Sequence, residues 1–265
     1  MTAPVHRIRL GLFLALVCTG GRSLAAQDTP PATREEIAAV AENVRAALSS
    51  GSRETLRTAL QAAIQLPDKT VVVAVEEGLA AKDTGLVLET LQALRWIDHP
   101  RALEALHRTA KDRKLRTNPE LAGPLWMAIG QHGDPSSIEI LVRDPFEVRP
   151  PPGMQARILA LGRIRTKASL SALMELLALS YPGGTREREL KPWMEEVRLS
   201  LVMLTGVDQG PQPELWESWW RDNKKTFDPE RVTPVVPKAL QERWDRFWGT
   251  MGEDTRSTRR EDRGG

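Results

Sequence analysis

The sequence predicts an all-α protein, an α-solenoid of about four to five helix pairs closed by a Trp-rich helical C-terminal cap. Three segments follow one template of apolar helix, short polar turn and second apolar helix: "LQALRWIDHPRALEAL" (Leu91–Leu106), "WMAIGQHGDPSSIEIL" (Trp126–Leu141) and "ILALGRIRTKASLSAL" (Ile158–Leu173). Their pairs Ala93-Leu94, Ala128-Ile129 and Ala160-Leu161 align, as do Leu103, Ile138 and Leu170 further on. The alanines at 93, 128 and 160 set a period of 35 and then 32 residues. Helix pairs at such a period bury their apolar faces only against their neighbours. The only strand-like stretch is "TVVVAVEEGL" (Thr70–Leu79), read as helix because it stands where a second helix of a pair belongs.

Arg7 and Arg9 precede the apolar run Leu10–Val17, which is too short to span a bilayer. Small residues follow, with Ser23 and Ala25 suited to positions −3 and −1 of a cleavage site. Residues 1–26 are expected to be a signal peptide, cut after Ala25 or Ala26, and the protein to be exported (periplasmic or secreted). An uncleaved anchor is the competing reading; a lipoprotein would need a small residue where Val17 precedes Cys18. Cys18 is the only cysteine, so the mature chain could use neither disulfides nor thiol chemistry. Of 37 basic residues, Arg7, Arg9 and Arg22 leave with the leader, so 34 face 35 acids and the formal charge moves from +2 to about −1. That balance gives no electrostatic case for nucleic acid or an anionic membrane as partner.

Residues 27–32 are expected to be a disordered leader. Thr33 and Glu36 form a capping box opening a helix with the stripe Ile37, Val40, Val44 and Leu48. After Ser49-Ser50-Gly51, a second carries Leu56, Ala59, Leu60, Ala63 and Ile64, ended by Pro67. Asp83-Thr84 opens the helix of Val87, Leu91 and Leu94, and Pro100, Pro119 and Pro135 suit first-helical positions, with Asn118 and Asp134 as N-caps. Lys111–Arg116 reads as a solvated loop, and Asp144–Gly153, with its four prolines, as a non-helical crossover. Beyond Ser180 an insertion precedes the stripe Trp193, Val197, Leu201 and Leu204, stopped by Thr205-Gly206. A helix from Pro213 carries Trp216, Trp219 and Trp220; Arg231–Pro237 is extended; a last helix aligns Leu240, Trp244, Phe247 and Trp248. The expected organisation is thus repeats over 33–206, capping helices over 207–251 and a disordered tail over 252–265.

Residues about 34–205 resemble HEAT-type repeats, with armadillo and phycobilisome-lyase-like repeats as looser relatives. The likeness rests on paired helices, an "AL" near the end of the first, and turns such as Asp98-His99-Pro100 and Gly133-Asp134-Pro135; Arg165-Thr166-Lys167 departs from it. "LTGVDQGPQPELWESWWRDNK" (Leu204–Lys224) looks like a closing motif of exported HEAT-repeat proteins from some environmental bacteria. The resemblance implies a concave face lined by second helices that grips a protein or peptide, with no catalytic residues to transfer. Polar positions on those helices, Glu104, Arg108, Glu139, Arg143, Ser171 and Glu175, are the expected contact residues.

No catalytic or cofactor motif stands out. Gly183-Gly184 lacks the strand-to-helix setting of a phosphate loop, and Ser49-Ser50-Gly51-Ser52 is a turn rather than a nucleophile elbow. Glu76-Glu77 and Glu195-Glu196 read as solvated faces rather than acid/base pairs. His99 and His132 occupy equivalent turns beside Asp98 and Asp134, but their spacing matches no metal motif. The expectation is therefore an exported scaffold or adaptor without catalysis, cofactor or metal. The alternative is a carbohydrate- or small-ligand-binding module, or an enzyme, that uses the Trp-rich end, since Trp is favoured at interfaces. Trp spacing at helical period favours a cap, onto which the final helix would fold back.

Overall fold

The computed structural model describes residues 32–143, 151–178 and 191–249, and all regular structure among them is helical. In chain order the helices are α1 (Arg34–Ser50), α2 (Arg53–Gln65), α3 (Lys69–Glu76), α4 (Thr84–Trp96), α5 (Pro100–Lys111), α6 (Arg113–Arg116) and α7 (Ala122–His132). They continue as α8 (Ile138–Val142), α9 (Pro151–Arg163), α10 (Lys167–Ala178), α11 (Met194–Thr205), α12 (Pro213–Asn223) and α13 (Lys238–Trp248). The expected signal peptide, nearly all of the 27–32 leader, most of the proline crossover, the insertion after Ser180 and the tail from 252 lie outside the described residues.

Two rows of helices arise from the pairing. The first helices α2, α4, α7, α9 and α11 pack in sequence order, each on the next. Of the second helices, α3 packs on α5, α8 on α10 and α10 on α12, while α1 covers the free side of α2 and α3. Each unit thus touches its neighbours in the chain, the order that a period in sequence demands. Small residues permit the close approach of the first row: a methyl on Gly130 would meet Ala160 Cβ at 2.6 Å, and one on Gly162 would meet Ser200 Cβ at 2.6 Å. The Ser200 hydroxyl donates to the Ile158 carbonyl at 3.0 Å, so this polar group is buried with a partner.

Local chemistry accounts for the helix starts. Thr33 and Glu36 make the reciprocal capping box. The equivalent turns of successive pairs place Asp68, His99, Asp134 and Thr166 as caps; each side chain accepts a backbone amide two or three residues on. The apolar run at Val71–Val75 is helical as expected: Val71, Val72, Ala74 and Val75 are buried because α3 touches α1, α2, α4 and α5 at once. A helix enclosed on several sides needs no polar face. Gly206, at φ 72°, ends α11 in the left-handed region.

Four local expectations need correction. Pro151, Pro152 and Gly153 belong to α9, because prolines in the first turn cost no hydrogen bond and already have a helical φ. Residues 113–116 form a helical turn capped by Asp112 rather than an open loop. Pro119 lies in a turn three residues before α7, with Asn118 accepting from the Glu120 and Leu121 amides. The final helix does not fold onto α12. Its Trp248 indole lies over Gly130 of α7 and under the Arg163 guanidinium of α9, and its Arg243 pairs with Glu196 of α11. No helix among the described residues is long and apolar enough to cross a membrane.

Candidate functional site: the groove between α10 and α12

The Trp-rich end divides by burial. Trp216 is 1% exposed, donates from Nε1 to the Gly210 carbonyl at 2.9 Å and meets Trp219 edge-on at a centroid distance of 6.2 Å. Trp219 stacks on Trp220 at 6.3 Å and packs its edge against Phe227 at 5.2 Å. Trp216 is therefore core, sealing the last pair. Trp220, one turn further, is only half-buried and faces a groove.

That groove has a volume of about 830 Å³ and lies on the second-helix row. One helical stripe from α10 (Lys167, Ser171, Met174, Glu175, Ala178) faces another from α12 (Glu217, Trp220, Arg221) with Lys224 and Lys225 just beyond its end. The i, i+3/i+4 spacing of both stripes is what turns these residues toward one trough. Buried Met174 and half-buried Trp220 supply apolar surface, and four cations with two carboxylates supply the polar rim. None of Lys167, Lys224 and Lys225 pairs with a carboxylate, and Arg221 bonds only the Ser218 hydroxyl at 3.1 Å, among the described residues. The trough thus carries a local excess of two positive charges in a chain whose overall balance is near zero.

The six residues expected to contact a partner divide among four places. Ser171 and Glu175 line this groove. Glu104 is exposed and borders a smaller cleft of about 340 Å³ between the α4–α5 and α7–α8 turns. Arg108 is engaged in the structure itself: with Arg101 it holds Glu76, tying α5 to α3. Glu139 and Arg143 pair with each other at 2.7 Å along α8, and Arg143 lines a small hollow with Lys111, Arg116 and Trp126. They share a row of helices but not one site. Sequence reasoning missed Arg221, Lys224 and Lys225, although their spacing opposite Trp216 already placed them on a common face at the end of α12.

The 340 Å³ cleft gathers His99, His107 and His132 with Asp98, Asp134 and Glu104. Their ring nitrogens serve the fold: His99 Nδ1 accepts the Arg101 amide at 3.1 Å, and His132 Nε2 lies 3.0 Å from the Leu94 carbonyl. A carbonyl only accepts, so that His132 nitrogen carries the proton. His107 Nε2 meets the Ser137 hydroxyl at 2.9 Å. Burial pushes both His107 and His132 below the ordinary histidine pKa, favouring neutral rings. Asp134 is held below the usual carboxylate range, chiefly by its bonds to Ser136. Among the described residues no three His, Cys, Asp or Glu side chains are placed to share a metal ion.

Among the known proteins compared, no family model matches this chain, and no curated protein matches it significantly.

Proposed function

We propose that this protein is an exported, non-catalytic helical-repeat scaffold of HEAT type that docks an acidic peptide segment of a protein partner in the α10–α12 groove. The observation that carries the reading is the groove's pairing of an indole and a thioether floor with four rim cations that have no carboxylate partner among the described residues. An extended or helical peptide with an apolar side chain over Trp220 and Met174 would place acidic neighbours against Lys167, Lys224 and Lys225. Electrostatic complementarity of this kind sets partner choice and on-rate more than raw affinity. The order of units, each packed on its neighbours in the chain, supports the solenoid reading, and the leader's n-region, h-region and small residues support export. A sugar stacked on Trp220 would use the same floor but gives the cations no role, so the acidic peptide fits better.

The test is fluorescence titration of the full chain with a peptide library varied in charge. Acidic peptides bearing one large apolar residue should bind with affinity that falls as salt rises. The variant Lys224→Glu/Lys225→Glu should lose at least tenfold in affinity while its melting curve is unchanged. Equal binding of acidic and basic peptides, or no change on charge reversal, would reject the groove. N-terminal sequencing of secreted material should begin at Ala26 or Gln27; Met1 retained in an integral membrane fraction would reject export.

A further inference from the structure

The last helix, α13, lies along the first-helix row, across four units and away from the groove on the second row. At its midpoint Arg243 reaches Glu196 at 2.7 Å and Glu195 at 3.7 Å, both on α11. Glu196 is 7% exposed and also accepts from Gln155 of α9 at 3.2 Å. At its C-terminal end the Trp248 ring fills a notch left by Gly130: a methyl there would lie 2.7 Å from Trp248 Cη2. The Arg163 guanidinium covers the same ring, 4.6 Å from its centroid, and the Trp248 carbonyl accepts from Arg95 of α4.

These contacts give the face a direction. Carboxylates meet the middle of the helix and guanidinium groups its C-terminal end, where the helix carries its free carbonyls and partial negative charge, so a helix laid the opposite way would bring its N-terminal partial positive charge to Arg95 and Arg163. The face reads three features of a helix: a basic residue, an indole at the next position (Trp244, 7% exposed) and a second indole four further on (Trp248, 2% exposed). Most of the remaining surface of α13 faces solvent, with Lys238, Glu242, Asp245 and Arg246 all exposed.

The connection to α13 is an extended linker, with Pro234 beside Gly206 and Val236 packed against the core. Arg165 holds the chain up to Val232, donating to the Pro229 carbonyl at 2.6 Å and the Val232 carbonyl at 2.5 Å. Thr233–Pro237 then runs extended, stiffened by Pro234 and Pro237, with Val235 85% exposed. Five extended residues reach about 17 Å. Such a segment can carry a helix to its own chain or to a neighbour's, and every copy holds both the helix and the face that reads it.

We propose that the first-helix face is a docking groove for a helix of the pattern Arg-Trp-x-x-x-Trp, filled in cis by α13, and that a released α13 fills the same groove of a second copy of this chain. The groove is independent of the acidic-peptide site, because it uses the opposite row of helices and a different set of charges.

A fluorescein-labelled peptide spanning residues 238–249 is the probe, titrated against the full chain by anisotropy. The Trp244→Ala/Trp248→Ala chain, whose own helix has lost its anchors, should bind it at least tenfold more tightly than the wild-type chain. Peptides carrying Trp248→Ala or Arg243→Glu should bind at least tenfold more weakly to that receptor. If circular dichroism shows the double variant to be unfolded, the Arg243→Glu chain serves as receptor. Light scattering of the wild-type chain should show a dimer fraction that grows with concentration and dissolves in excess peptide. A folded receptor that ignores the peptide, or binds all three peptides alike, would overturn the groove. A chain that stays monomeric at every concentration, or a dimer indifferent to the peptide, would overturn the exchange.

Discussion

Replacing Trp216 by Ala tests whether the Trp-rich end seals the repeats. The side chain is 1% exposed, and burying an indole removes on the order of 200 Å² from water. At about 25 cal/mol per Å² that is roughly 5 kcal/mol, an upper bound because a denatured chain already hides part of the surface. The bond from Nε1 to the Gly210 carbonyl adds about 1 kcal/mol, and the carbonyl it leaves behind can take a water instead. A loss of about 4 kcal/mol follows, inside the range of about 3–5 kcal/mol for truncating buried aromatics. Trp220→Ala, removing a half-exposed ring one turn away, should cost less than about 1.5 kcal/mol. Urea melts followed by circular dichroism at 222 nm give both values. Hydrogen exchange should show protection lost first in α10, α11 and α12, with α1–α3 retained, since each unit leans on its neighbours. A cost below about 1 kcal/mol for Trp216→Ala, or fraying that starts at α1, would refute the reasoning.

Further expectations concern charge, acid and backbone. Glu89 is 4% exposed and holds Arg57 at 2.6 Å and Arg53 at 3.6 Å between α2 and α4; Glu89→Ala should destabilise by about 3 kcal/mol in equilibrium melts, because it leaves Arg57 partly buried without this partner. His107 and His132 have folded pKa values below their unfolded ones, so their contribution is complete above about pH 6.5 and is lost as pH falls through the folded values; unfolding free energy should decline as pH falls below about 6.5, and less steeply in His132→Gln. Asp68, Asp134 and Asp208 act with the same sign at lower pH, their stabilisation fading below about pH 4. Gly206→Ala would combine a left-handed φ of 72° with a methyl 3.0 Å from Pro234 Cα, and should lower stability by about 1–3 kcal/mol in the same melts.

Helix class and order were legible in the residues. The 35- and 32-residue steps between aligned alanines, the Thr33–Glu36 box, the cap at Asp134 and the stop at Gly206 are local chemistry, decided within one or two helical turns. So was Val71–Val75, once its place in the period outweighed its β-branched side chains. The start of α9 was misread because proline's conflict with a helix depends on position, and two prolines in a first turn conflict with nothing. Only tertiary structure decided what the Trp residues do. Trp216 and Trp248 are buried while Trp220 borders a groove, and all three look alike on a helical wheel. The same holds for the charges: Arg108 is tied to Glu76 across α3 and α5, whereas Lys167 and Lys224, on α10 and at the end of α12, meet across an open trough. Periodicity specifies which face of a helix turns inward, but which helix it meets depends on packing between segments as distant as Arg95 and Trp248, where a notch at Gly130 fits one indole.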